Sequence, residues 1–121
     1  MRADQGIQSG GAIHWLLQRV TGICLVVLIA VHTLIAHYTV PQGGLSYEWV
    51  ASRMAYPLWK LFYLFFLLLC IYHGLNGIWM IAQDYVHRGG WRVAILGALL
   101  MLGLLMGSLG GLTIIPFGTK A

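Results

Sequence analysis

Residues 58–85 read LWKLFYLFFLLLCIYHGLNGIWMIAQDY. A membrane-spanning helix needs about 20 predominantly apolar residues at 1.5 Å rise each, and this stretch supplies more. Its only charges, Lys60 and Asp84, stand close to its two ends. Pro57 opens it, and proline is tolerated in the first turn of a helix. The stretch is therefore expected to cross a bilayer as one helix, with a histidine, His73, near its middle.

Two further runs qualify as spans, about 15–38 and about 91–115, the first interrupted only by Gln18 and Arg19 and the second stopped by Pro116. The first run lacks a small-residue cleavage site and is too long for a signal-peptide core, so it is expected to remain as a span. Composition agrees. Only 8% of the 121 residues are charged and 60% are apolar, whereas soluble domains carry roughly a quarter charged residues. Seven Lys and Arg against three Asp and Glu leave a net charge of +4, but no basic cluster could track a nucleic-acid backbone. Cys24 and Cys70 lie in separate apolar runs, which predicts free thiols and neither a disulfide nor a zinc site. The expected fold is all-α, a single integral-membrane domain over 1–121. Its three spans run up-down-up and pack with a partner anchor subunit into a larger bundle.

The connectors refine this picture. The loop 39–56 carries a Pro41-Gln42-Gly43-Gly44 turn signal, followed by Ser46-Tyr47-Glu48-Trp49, which can start a short interfacial helix. The connector 86–90 is a tight turn. Arg2, Arg19, Arg88 and Arg92 fall on the N-terminal side of the membrane, and Arg53, Lys60 and Lys120 on the other. The density at the tight turn predicts a cytoplasmic N-terminus. Trp15, Tyr85 and Trp91 mark one interface, Tyr38, Tyr56 and Trp59 the other. In the third span Gly103, Gly107 and Gly111 recur at four-residue spacing, a pattern that lets a backbone or a flat macrocycle approach closely.

Polar residues at membrane depth are costly and become functional candidates by default. His73, Gly77, Met80 and Asp84 fall on one stripe of the second span, with His73 and Asp84 about 16 Å apart along the axis. Neutral imidazole is a common metal ligand, and haem iron in an apolar bundle is usually held by histidine. Gly74 and Gly77 would thin the helix around such a group. An imidazole hydrogen-bonded to a neighbouring helix accounts for His73 equally well. In the first span His32 shares a stripe with Thr21, Leu25 and Leu28, about 140° away from Arg19. Depths of roughly 20 Å and 16 Å leave open a single haem gripped by His32 and His73 within this chain. Arg19 and His14 stand where cations can meet haem propionates or a quinone carbonyl, or, for the arginine, lipid phosphate. Asp84 and Tyr85 pair a carboxylate with a phenol at the inner boundary, an arrangement that can donate to a quinone oxygen and relay protons, or serve as an interfacial aromatic beside a solvated acid.

Gln18-Arg19-Val20-Thr21-Gly22, Gly44-Leu45-Ser46-Tyr47-Glu48-Trp49 and His73-Gly74-x-x-Gly77 followed by Asp84-Tyr85 together resemble the smaller, cytochrome b-type membrane-anchor subunit of succinate dehydrogenase (complex II). The likeness covers about residues 14–86. The spacing from His73 to Asp84-Tyr85 is its specific part. Trp79 and Met80 stand where the larger anchor subunit reads Arg-His. The resemblance implies that His73 is an axial ligand of haem b, the opposite ligand coming from the larger cytochrome b anchor subunit. It implies a quinone site at Tyr85, Asp84 and Arg19, with Arg19 and His14 near the propionates. In di-haem relatives both corresponding spans supply a ligand, which makes His32 a candidate for a second haem. The partners implied are that larger anchor, an iron–sulfur subunit and a flavoprotein, which carry the clusters and FAD and oxidise succinate. This chain is then a non-dehydrogenase subunit of succinate:quinone oxidoreductase in a bacterial inner membrane. The alternatives are a fumarate reductase anchor and a haem-free membrane scaffold or transporter subunit.

Overall fold

A computed structural model describes residues 11–118. Arg2 and Lys120, counted above for orientation, lie outside the described residues. Four helices follow in order: α1 (Gly11–Thr39), α2 (Tyr47–Met54), α3 (Pro57–Tyr85) and α4 (Gly89–Ile114). No strand occurs among the described residues. At 29, 29 and 26 residues, α1, α3 and α4 are roughly 44, 44 and 39 Å long. Each exceeds the ~30 Å hydrocarbon core, and each is apolar enough to cross it. The first span begins four residues earlier than the apolar run alone predicts, at Gly11 rather than Trp15.

The connections follow local chemistry. Gly44 adopts φ +90° and its N–H donates to the Pro41 carbonyl at 2.9 Å, closing the predicted turn. Ser46 then caps α2, its Oγ accepting from the Trp49 N–H at 3.2 Å. Pro57 sits in the first turn of α3, where its missing N–H costs nothing. Two cations close helix ends. The Arg92 guanidinium donates to the Val86 and Gln83 carbonyls at 2.8 and 2.7 Å, and Lys60 Nζ donates to the Ile115 carbonyl at 2.6 Å. Both satisfy last-turn carbonyls that have no partner within the helix. Arg92 is thus part of the fold while keeping its charge beside Arg88 at that turn.

Helix α3 lies between α1 and α4 and packs most extensively on α4. Glycines make that contact close. A Cβ on Gly103 would stand 2.8 Å from Leu75 Cδ1 and one on Gly107 3.9 Å from Ile71 Cδ1, while one on Gly110 would overlap Leu67. Gly111 meets only Ile115 of its own helix. The seam is therefore Gly103-Gly107-Gly110 and not the four-residue repeat ending at Gly111. A step of four overshoots a 3.6-residue turn by about 40°, and a following step of three brings the stripe back under α3.

Only Thr21, Leu25, Met54 and Asn76 are buried among the described residues, and the large apolar side chains of the spans mostly face outward. In lipid this inversion is expected: hydrocarbon covers the apolar faces and polar groups turn inward to each other. Thr21 and Asn76 meet where α1 crosses α3.

Candidate functional site

That crossing holds a chain of polar side chains. Spacings of three and four residues put His14, Gln18 and Thr21 on one face of α1, and Tyr72, His73, Asn76 and Met80 on the facing side of α3. The Asn76 amide donates to Gln18 Oε1 at 2.8 Å and to the His14 carbonyl at 3.3 Å. Gln18 Nε2 donates to the His73 carbonyl at 3.0 Å and lies 3.4 Å from His73 Nε2. Thr21 Oγ1 lies 3.1 Å from His73 Nδ1 and donates to the Leu17 carbonyl at 2.7 Å. His14 Nδ1 stands 3.3 Å from the Tyr72 hydroxyl. Interhelical hydrogen bonds in membranes average about 0.6 kcal/mol, whereas a polar group left unpaired in hydrocarbon costs several kcal/mol. The network is held together more by the cost of breaking it than by the gain of each bond.

Small residues give the ring its room. A Cβ on Gly22 would stand 3.1 Å from His73 Cε1, and one on Gly77 3.0 Å from Gln18 Nε2. Gly74 meets nothing within 4 Å, so Gly22 of α1 replaces Gly74 as the residue that makes space at the imidazole. Beside Gly22 a lateral groove of about 570 Å³ opens between α1 and α3, lined by Trp15, Gln18, Arg19, Ile23, Val26 and Met80 as well. Arg19 lies on its rim, exposed, with its guanidinium 4.3 Å from the Trp15 ring centroid.

His32 stands elsewhere. Its Nδ1 lies 3.2 Å from the Tyr63 hydroxyl, and its ring meets Tyr63 edge-on and Phe66 at 6.1 Å. It lines a cavity of about 600 Å³ near the other end of the bundle, with Arg53, Tyr63, Cys70 and Thr113 among the walls. Arg53 reaches there from α2, donating to Thr39 Oγ1 at 2.6 Å and stacking on Trp59 and Trp49 at 4.1 and 4.8 Å. Cys24 and Cys70 are free thiols. Asp84 and Tyr85 close α3 in exposed positions, Tyr85 at 80% exposure. Tyr85 borders a shallow hollow of about 390 Å³ shared with His87, Arg88, Trp91 and Ile95.

The antiparallel register corrects two expectations. His73 pairs with Thr21 and His32 with Tyr63, so the two imidazoles lie about ten residues, or ~15 Å, apart along the helices. One haem cannot be gripped by both within this chain. Likewise Gln18 opposite Gly77 raises Arg19 to the level of Asn76, about 12 Å from that of Asp84. Arg19 lines the groove beside Gly22 and Gln18 and does not meet Asp84 and Tyr85; the cation beside Tyr85 is Arg88. Both expectations placed Arg19 and Asp84 on one interface, and the register of α1 against α3 sets them apart. Asn76 counts among the polar residues at membrane depth; Gln18 and Tyr72 join it here, at helical spacing from His14 and His73.

His73 offers a single imidazole, the ligand a haem iron takes from one side. No three His, Cys, Asp or Glu side chains group together among the described residues. Against a haem, His73 Nε2 has only a long amide contact to give up.

The profile of the succinate dehydrogenase/fumarate reductase transmembrane subunit family matches residues 5–106. A succinate dehydrogenase hydrophobic membrane anchor subunit from Archaeoglobus fulgidus is 31% identical over 100 residues, covering 83% of this chain and 84% of its own. A protein of the same name from Thermoplasma acidophilum is 31% identical over 74 residues, 61% of this chain and 60% of its own.

Proposed function

The chain belongs to the succinate dehydrogenase/fumarate reductase transmembrane subunit family, and from that premise we propose that it binds haem b through His73 and forms one wall of a quinone-reduction site at Tyr85. As a family member it is an integral membrane anchor of the complex. It contributes no dehydrogenation. A flavoprotein with FAD and an iron–sulfur protein would perform that step, and the larger cytochrome b anchor would supply the opposite axial ligand.

The observation that carries the reading is His73 itself: a half-buried imidazole at the polar crossing of two spans, with one ring nitrogen tied to Thr21 and the other meeting the Gln18 amide only at 3.4 Å. When bound, haem supplies reversible one-electron transfer. Arg19 and His14 would offer charge and hydrogen bonds to its propionates from the α1 side. At the end of α3 the Tyr85 phenol, exposed beside Arg88, would donate to a quinone carbonyl, and the Asp84 carboxylate would pass protons from the aqueous face. This end faces the cytoplasm if Arg88 and its turn lie inside, the side on which the soluble subunits would dock. Both relatives carry the succinate dehydrogenase name, which favours succinate oxidation over fumarate reduction as the physiological direction.

The test is a reduced-minus-oxidised visible spectrum of the purified complex. A b-type band in the wild type that disappears in His73→Ala is expected. A complex without the band, or a band indifferent to His73→Ala, overturns the haem assignment and returns the histidine to a purely packing role.

A further inference from the structure

Which nitrogen of His73 is free to bind a metal is fixed by its neighbours. The Thr21 hydroxyl has one proton, and two backbone carbonyls stand ready to accept it, Leu17 at 2.7 Å and Gln18 at 3.3 Å. Toward His73 Nδ1, at 3.1 Å, the oxygen can therefore only accept. A hydrogen bond there requires the proton on Nδ1. The other ring nitrogen gives the same answer independently. Asn76 donates to Gln18 Oε1 at 2.8 Å, which orients the Gln18 amide with its NH₂ toward His73. That NH₂ donates to the His73 carbonyl at 3.0 Å and presents its second hydrogen to Nε2 at 3.4 Å. A donor facing Nε2 requires Nε2 to be unprotonated. Two side chains on α1, one accepting and one donating, select the same tautomer. Gly22, whose Cβ would press on Cε1 at 3.1 Å, keeps the ring from being pushed off either partner.

We infer that Thr21 is the positioning residue of the haem ligand: it holds the proton on His73 Nδ1 and so keeps the Nε2 lone pair available for iron. The inference rests on the haem reading above. Metal-bound histidines generally donate their second N–H to an acceptor that fixes the ring and raises its basicity, and losing such an acceptor typically costs 10–100-fold in metal affinity. Thr21 is that acceptor, supplied from the neighbouring span. Gln18 meets Nε2 only by a long contact at 3.4 Å, the weakest of the bonds its amide makes.

The test compares Thr21→Val, which keeps the shape and removes the oxygen, with Thr21→Ser, which keeps the oxygen, in the purified whole complex. Haem affinity and the haem reduction potential are measured beside succinate oxidation with an artificial acceptor. Thr21→Val is expected to weaken haem binding about 10–100-fold and to shift the potential upward, because a less basic imidazole stabilises ferric iron less. Thr21→Ser is expected to restore both. Should the valine variant fail to assemble, Thr21→Cys, whose sulfur accepts only weakly, is expected to shift the potential in the same direction by less. Haem that binds and titrates as in the wild type in Thr21→Val, or in Thr21→Cys where valine does not assemble, overturns the inference while leaving His73 as a ligand. A wild-type complex without haem overturns the reading on which the inference rests.

Discussion

At His73 the surroundings invert the usual order of a protein interior: threonine, glutamine and asparagine are packed inward while valines and leucines face out. Glycine 22 is the residue on which that arrangement turns. In Gly22→Val the new side chain meets the imidazole, and overpacking of this kind costs about 1–3 kcal/mol. The expected outcome is a lowered thermal midpoint and reduced haem content of the complex, whereas Gly74→Val, facing open space, leaves both unchanged. At the far end of α3, Tyr85→Phe removes one donor. Losing a hydrogen bond of about 1.4 kcal/mol slows quinone reduction about tenfold, with succinate oxidation by an artificial acceptor retained. Equal quinone kinetics in the two proteins would remove Tyr85 from the site.

Helices were the most legible part of the sequence, because hydrocarbon leaves the backbone no other economical way to satisfy its hydrogen bonds. The ends of α3 and α4 fell within two residues of their apolar limits, and Ser46 announced α2 through its capping oxygen. Contacts between helices were less legible. A four-residue glycine repeat reads as one stripe, yet α3 settles on Gly110 and leaves Gly111 aside, since the turn of a helix and the repeat do not match. This distinction predicts different behaviour at adjacent positions. Gly110→Leu drives a branched side chain into Leu67 and is expected to destabilise the α3–α4 pair by about 1–3 kcal/mol, seen as reduced assembly of the complex. Gly111→Leu, pointing along its own helix surface, is expected to assemble normally unless a partner subunit lies on that face.

For the molecule as a whole, the register between α1 and α3 is what the sequence hid. The candidate residues were visible one by one, His73 and His32 by their depth and Tyr85 by its place after Asp84, but their relative heights depended on how α1 sits against α3. The structure separates the two histidines by ~15 Å and seats them in different hollows. His32 lines a cavity of its own with Tyr63 and Arg53, so a second haem would have to occupy that cavity and could not share the first. Counting haems per complex decides this: one haem at full yield in His32→Ala and in the wild type assigns His32 to its bond with Tyr63, whereas two haems falling to one assign it as a ligand. Most apolar side chains of the spans face outward, toward lipid or a partner subunit. The most direct measurement is a density map of the intact complex at a resolution that shows side chains. A porphyrin is expected against the α1–α3 crossing, with iron bonded to His73 Nε2 while Nδ1 stays on Thr21. A map in which Nε2 still meets the Gln18 amide and no porphyrin lies near it would rule out the haem role of His73.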